Sequence, residues 1–185
     1  MRADAERNHA RVLEAAEIVL TREGLDAPMR AIATQAGVGV ATIYRQYPTK
    51  EALYQAILAD RMQRLVARAH TLGEASAPGE AFFAFFTSIV EDATTKKIFA
   101  DALESAGIDA KAAAPDTGHD VLRAIETLLF SAQQAGAVRS DVRMPELLAL
   151  LSAACLAAKQ QHWDETLRTR ALGIIFDGLR GRLRG

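Results

Sequence analysis

The apolar residues of this chain recur at helical spacing, and that period constrains its fold more than any other feature. Near the N-terminus an apolar stripe runs through Val12, Ala15, Ala16, Val19 and Leu20 at steps of three and four residues. This spacing is typical of an amphipathic helix. No segment alternates polar and apolar residues between hairpin turns, as the strands of a sheet would. We therefore expect an all-α protein.

Glycine, proline and capping residues divide the chain into about nine predicted helices. Three short helices come first, and a long fourth helix follows over 50–70. We expect Asp26 to cap the second helix and Thr49 to cap the fourth. Loops are predicted at 72–78, 107–117 and 136–145. The other helices, which would form a bundle, are predicted at 78–94, 95–106, 117–135, 145–161 and 164–183.

Composition excludes several classes of protein. Half of the 185 residues are apolar and 24% are charged, which suits a globular core, whereas a net charge of −1 argues against coating nucleic acid through bulk charge. The single cysteine, Cys155, excludes an internal disulfide, and His119 and His162 lack metal-ligand spacing. The longest apolar run, 147–158, is shorter than the roughly 20 residues that span a bilayer. We expect a cytoplasmic protein without metal or cofactor.

Residues 28–47 carry the most informative motif, PMRAIATQAGVGVATIYRQY. Two short helices flank a tight turn at 37–39, and Ile32, Val38 and Ile43 supply the small core that they share. This is the pattern of a helix-turn-helix, which holds its second helix in position to enter the major groove of DNA. From position 29 to position 50 there are three basic residues and no acidic one. The nearly neutral chain therefore contains a local charge of +3 that would attract phosphate.

The sequence around this motif closely resembles the TetR/AcrR family of one-component bacterial transcription factors. The resemblance covers about residues 5–58, and its specific elements are Gly24-Leu25, Ile32-Ala33, Ala36-Gly37-Val38, Thr42-Ile43-Tyr44 and the run YPTKEAL at 47–53. The rest of the chain is similar in architecture and in the string AGAVRSDV at 135–142, which resembles the SbtR-like subgroup. The resemblance implies a DNA-binding domain over 1–49 and a ligand-binding and dimerisation domain over 50–185.

The same resemblance implies which residues contact DNA. Arg30 would contact a base edge or a phosphate, and Thr42 and Tyr44 would position phosphates. Arg45 would pair with guanine and Gln46 with adenine. Lys50, at the start of the fourth helix, would bind a phosphate. Tyr47 is instead expected to pack in the core.

Two departures from the family pattern concern the strength of DNA binding. Gly39 stands where the family often has a capping serine, which predicts a looser start of the recognition helix. Pro28 and Met29 stand where polar residues that contact phosphate are frequent.

The resemblance implies that the second half senses a small, largely apolar effector. The helix at 78–94 carries four of the seven phenylalanines. These side chains are explained equally well by burial in the middle of a bundle, because pocket and core have similar compositions. The residues predicted to line a pocket are Phe82, Phe86, Phe99, Leu122, Ile125, Phe130 and Cys155.

The last two helices are predicted to form a homodimer. Helix 145–161 has small residues that allow close helix approach, and helix 164–183 has two apolar faces, one for its own bundle and one for a second subunit. A dimer would read a near-palindromic operator. Effector binding in the bundle would move helix 50–70 and release the DNA, as in a repressor.

Three alternatives remain at this stage. The protein could activate rather than repress transcription. It could bind DNA without sequence preference, although its net charge argues against this. It could also be an enzyme acting in the helical bundle, although the sequence has no Ser-His-Asp spacing, no glycine-rich phosphate loop and no convincing carboxylate pair on one face.

Overall fold

The computed structural model describes residues 2–105 and 115–181 of the chain, with side chains at 7–93 and 118–181. The described residues form eight helices and no strand, which confirms the all-α prediction. An isolated antiparallel bridge joins Val138 to Arg180. The helices are α1 (Arg2–Glu23), α2 (Met29–Ala36), α3 (Val40–Gln46), α4 (Lys50–Ala75), α5 (Pro78–Ser105), α6 (Pro115–Gln134), α7 (Met144–Gln160) and α8 (Glu165–Leu179).

The count of nine helices was wrong because the helices predicted at 78–94 and 95–106 are one continuous helix, α5. The sequence from 80 to 106 contains no glycine or proline, so nothing interrupts the backbone hydrogen bonds there. Similarly, α4 continues to Ala75, so the first four residues of the loop predicted at 72–78 are helical. The loop predicted at 107–117 falls largely outside the described residues.

Of the two predicted caps, one is observed. The Ala52 amide donates to Thr49 Oγ1 over 3.1 Å at the start of α4, which confirms the Thr49 prediction. The prediction for Asp26 was wrong, because Pro28 occupies the N-cap position of α2 and no side chain caps this helix. Asp26 lies two residues before that position, which is too early in the chain for its carboxylate to act as the N-cap acceptor.

The chain forms two compact units. The first contains residues up to Met62 and the end of α5 from Thr95, and the second contains Gln63–Thr94 and the chain from Asp116. In the first unit, α1 to α4 share one apolar core. Its most deeply buried large side chains are Val12, Leu13, Val19, Leu20, Ile32, Ile43, Leu53 and Ile57.

A buried ion pair joins α1 to α4 within the first unit. The Arg61 guanidinium donates from Nε and Nη2 to the two carboxylate oxygens of Glu17, over 3.1 and 2.9 Å. The side chains of Arg61 and Glu17 are only 7% and 15% exposed. Two parallel hydrogen bonds in a weakly solvated setting fix the relative position of the two helices more sharply than apolar packing alone.

In the second unit, the core is built on the phenylalanines of α5. Phe82, Phe85 and Phe86 are buried, and the rings of Phe83 and Phe86 pack against Phe176 of α8 at centroid distances of 4.7 and 5.4 Å. These contacts agree with the prediction that the phenylalanines are buried in the middle of the bundle.

The loop between α6 and α7 closes one end of the second unit. The Arg139 amide donates to the Leu179 carbonyl over 2.9 Å, and the Gly181 amide donates to the Ala137 carbonyl over 3.2 Å. Gly79, at the start of α5, packs closely beneath this loop, because a Cβ at that position would lie 2.5 Å from Ala137 Cβ. Backbone hydrogen bonds therefore attach the segment AGAVRSDV to the C-terminal end of α8.

The turn between α2 and α3 is held by backbone hydrogen bonds. Gly37 adopts a left-handed conformation with φ of 66°. Residues that have a Cβ disfavour this conformation, whereas glycine adopts it readily. The Gly37 amide donates to the Thr34 carbonyl over 3.2 Å, and the Val38 amide donates to the Ala33 carbonyl over 3.0 Å. This pair of bonds forms a Schellman motif, which ends α2 sharply.

Replacing Gly37 with alanine is expected to lower the free energy of unfolding by about 1–2 kcal/mol, because a Cβ disfavours the left-handed conformation. Thermal and urea unfolding of the full chain would measure this loss. The matched control is Gly118→Ala in α6, where φ is not positive and a Cβ meets nothing within 4 Å. That change should stabilise the protein by ~0.5 kcal/mol. Equal effects of the two substitutions would contradict the role assigned to the turn.

Candidate nucleic-acid interface

An arginine from α1 secures the turn that orients α3. Arg11 Nη2 donates to the Ala36 carbonyl over 2.7 Å, at the C-terminal end of α2. A cation is favourable there because the carbonyl groups at the end of a helix carry partial negative charge. Arg11 also packs against the turn, since a Cβ at Gly37 would lie 3.1 Å from its Nη2. A side chain from a third helix therefore stabilises the angle between α2 and α3.

The short helix α3 has one buried anchor and an exposed polar face. Ile43 is completely buried. Tyr44 is 50% exposed, Arg45 and Gln46 are exposed, and Thr42 is half-buried. The structure thus places three consecutive residues predicted to contact DNA on the outer side of α3. Arg30, on α2, is also exposed.

Lys50 is placed differently from the other predicted contacts. It is half-buried, and its Nζ donates to the Leu25 carbonyl over 3.3 Å. The Tyr54 hydroxyl donates to the same carbonyl over 2.7 Å. One of the three hydrogens of the ammonium group is therefore directed at the Leu25 carbonyl.

The start of α4 favours negative charge. The pKa of Glu51 is lowered, first by the hydrogen bond to its own backbone amide and then by the Thr49 hydroxyl. Amide groups at the beginning of a helix are unsatisfied within the helix and attract anions. A DNA phosphate would have to share this end of α4 with the Glu51 carboxylate.

His9, which was not among the residues predicted from the sequence, contacts the end of α3. Its Nδ1 lies 2.7 Å from the Tyr47 hydroxyl oxygen and 2.9 Å from Gln46 Nε2. His9 falls on the same helical stripe as the buried Leu13 and Ala16, one and two turns further along α1. That position was the available signal, since it indicates an inward-facing imidazole.

Tyr47 is buried, at 4% exposure, as expected of a core residue. Burial, with a further contribution from the Asp60 carboxylate, raises the pKa of its phenol to about 12. Tyr47 therefore keeps its hydroxyl proton at physiological pH and can donate it to His9.

The structure does not bring all of the residues predicted to line an effector pocket together. Phe82, Phe86 and Ile125 are buried and border a void of about 10 Å³, which is room for about one water molecule. Cys155 is half-buried, with its Sγ 3.9 Å from the Ile89 carbonyl oxygen. Leu122 and Phe130 are exposed. The side chain of Phe99 lies outside the described residues.

A larger cavity of about 630 Å³ lies elsewhere in the second unit, between the end of α4, the start of α5, and α6. Its volume is within the range of small-molecule sites. Its lining contains both apolar and polar side chains. The lining consists of Val66, Ala69, His70, Gly73, Glu74, Pro78, Ala81, Asp120, Arg123, Ala124, Thr127, Leu128 and Ser131. None of the residues predicted to line a pocket is among them.

None of the helices in the described ranges is both long enough and apolar enough to cross a membrane. Among the same residues, no group of three or more His, Cys, Asp or Glu side chains is placed to hold a metal ion.

Comparison with known proteins identifies the family. Residues 12–57 match the model of bacterial regulatory proteins of the tetR family, and residues 77–181 match the model of the SbtR-like transcriptional regulator C-terminal domain. A search of curated proteins found no match.

Solved structures agree with these matches. A TetR transcription regulatory protein from Mycobacterium vanbaalenii is 42% identical, with a TM-score of 0.83 and coverage of 97% of this chain and 98% of that one. The TetR regulator SCO0520 from Streptomyces coelicolor is 33% identical, with a TM-score of 0.79 and coverage of 94% and 99%. The fatty acid degradation regulator FadR from Bacillus halodurans, at 18% identity and a TM-score of 0.66 with coverage of 95% and 96%, shares the fold alone. The helix-turn-helix, the two family matches and these structures together show that the chain belongs to the TetR family of bacterial transcriptional regulators.

Proposed function

We propose that the protein is an operator-binding repressor that a small molecule releases from DNA. The main observation in support is that Tyr44, Arg45 and Gln46 of α3 are exposed, whereas Ile43 of the same helix is buried and anchors it. The span 29–50 around this face contains no acidic residue. In this proposal, residues 1–49 bind DNA and residues 50–185 bind the effector and form the dimer, in the cytoplasm.

Each exposed residue has a role that fits its chemistry. The fork of Arg45 can donate two hydrogen bonds to guanine, and the amide of Gln46 can both donate to and accept from adenine. Tyr44, Thr42 and Lys50 contact phosphates, which set the register of the protein on the duplex without selecting a base, and Arg30 contacts either a phosphate or a base edge.

Selection of bound sequences from a random DNA pool, at about 0.15 M salt, tests operator binding. We expect enrichment of a near-palindrome with two half-sites. Arg45→Ala should weaken binding to the selected duplex by roughly 5- to 150-fold, which corresponds to the 1–3 kcal/mol of a bidentate base contact. The control is Arg22→Ala, which removes another exposed positive charge, from the end of α1. Equal losses for both variants, or no enriched sequence, would contradict the proposal.

The dimer would form through α7 and α8. Leu150 and Leu156 on α7, and Leu167 and Ile174 on α8, are large apolar side chains that are at least 39% exposed. Ile174 alone is 76% exposed. Such a concentration on two adjacent helices supports an interface between subunits. Two subunits would place two recognition helices about one DNA turn apart, ~34 Å.

Ile174→Asp is expected to convert the dimer to a monomer, because it would bury a charge in an apolar interface. Sedimentation equilibrium would measure the mass, and the operator affinity should fall in parallel. The matched control is Phe130→Asp on α6, which introduces the same charge at a side chain that is 61% exposed. A dimeric Ile174→Asp variant would be evidence against this interface, as would a monomeric control.

We propose the 630 Å³ cavity, rather than the void beside the phenylalanines, as the effector site. The cavity has the volume of a small-molecule site, whereas the void has room for about one water molecule. The lining includes Val66 and Ala69 of α4, the helix that begins at Lys50. An effector would therefore act by shifting α4, and it must bind the released conformation more tightly than the DNA-bound one.

Filling the cavity tests the site. Effector candidates are compounds that raise the melting temperature of the wild-type protein and release it from the selected duplex. These compounds should have neither effect on the Thr127→Trp variant. The substitution should leave operator affinity in their absence unchanged. Glu126→Trp, at the neighbouring exposed position outside the lining, is the control and should respond normally. A normal response of Thr127→Trp would place the effector elsewhere. A reporter gene behind the selected operator would distinguish repression from activation.

A further inference from the structure

His9 contacts the end of α3 through one ring nitrogen. Its Nδ1 lies 2.9 Å from Gln46 Nε2, and an amide nitrogen can only donate a hydrogen bond. The Tyr47 phenol, 2.7 Å away, carries its own proton. Nδ1 is therefore the acceptor for the Gln46 amide, and the Tyr47 hydroxyl lies beside the same nitrogen. These contacts join α1 to α3 across 37 positions of sequence.

This arrangement determines which end of the Gln46 amide is available to DNA. The side-chain amide has an oxygen that accepts and a nitrogen that donates two hydrogens. His9 takes one of those hydrogens, so the oxygen and the second N–H remain for a base. Adenine presents the matching pair in the major groove, because its N6 donates and its N7 accepts. Guanine presents two acceptors there, N7 and O6, and an outward amide oxygen would be repelled by them.

We propose that His9 is a positioning residue that orients the Gln46 amide and thereby sets the base preference at the position Gln46 contacts. This inference rests on the proposed function, since it requires Gln46 to face a base. The role belongs to α1, outside the helix-turn-helix itself. An acceptor at position 9 favours adenine over guanine, whereas a donor at position 9 would turn the amide and favour guanine.

Three substitutions separate orientation from simple support of the fold. His9→Gln keeps an acceptor, the side-chain oxygen, for both Tyr47 and Gln46. His9→Lys offers only donors and so demands that the Gln46 oxygen turn inward. His9→Leu offers neither. Thermal unfolding checks that each variant is folded, and no variant alters a residue on the outer face of α3.

The probes are two duplexes that differ at one base pair. The first is the duplex selected by the wild-type protein. The second differs from it at one base pair, the one at which the Gln46→Ala variant has lost the preference for a particular base, and there G·C replaces A·T. The measurement is the ratio of the two dissociation constants for each variant. A ratio is needed because the charge of a lysine strengthens binding to every duplex through the phosphates, and this effect cancels.

We expect the wild-type protein and His9→Gln to prefer the adenine duplex by on the order of tenfold, as for other side-chain contacts to base edges. His9→Leu should reduce the ratio to about two, and His9→Lys should bring it below one. A residue that only supported the fold would weaken binding to both duplexes and leave the ratio unchanged.

The two proposals fail in distinguishable ways. If Gln46→Ala changes the preference but His9→Leu and His9→Lys keep the wild-type ratio, the role of His9 is overturned and operator binding stands. If no position loses its preference in Gln46→Ala while Arg45→Ala still weakens binding, Gln46 does not read a base, and the role of His9 is again overturned. If the wild-type protein selects no sequence, the proposed function itself fails, and this inference fails with it.

Discussion

The left-handed turn at Gly37 is the constraint on which the DNA-facing part of the protein depends. It ends α2 with two backbone hydrogen bonds and starts α3 within three residues. A helix of seven residues is too short to be stable by itself in water, so its direction must come from outside. The turn supplies that direction together with Ile43, buried in the core, and Arg11, which binds the last carbonyl of α2. The exposed positions of Arg45 and Gln46 follow from these contacts.

The local features of this fold could be predicted from sequence because they depend on neighbouring residues. The helix-turn-helix, the buried Ile43 and the Thr49 cap each follow from spacing over a few positions. The continuity of α5 was missed, although the absence of glycine and proline from 80 to 106 pointed to it. Asp26 has the chemistry of a cap but not the position of one, because the exact residue at which a helix begins depends on tertiary packing.

The sites were harder to predict because they depend on residues that are distant in sequence. The contact of His9 with Gln46 spans 37 positions, and no local pattern encodes it. Apolar spacing identified Phe82 and Phe86 as inward-facing, but spacing cannot tell whether the space beside them is filled. The lining of the larger cavity includes polar side chains such as Arg123 and Thr127, which apolar spacing along a helix does not point to.

The buried pair of Arg61 and Glu17 limits how this sequence can vary during evolution. Loss of one member would leave a charge of one sign in a weakly solvated place, at a cost of about 3–5 kcal/mol. That is a large part of the 5–15 kcal/mol that typically stabilises a domain. Replacement of both members by apolar residues of similar volume is often nearly neutral. A change at only one of these two positions, 44 apart in the sequence, is therefore expected to cost more stability than a joint change of both to apolar residues.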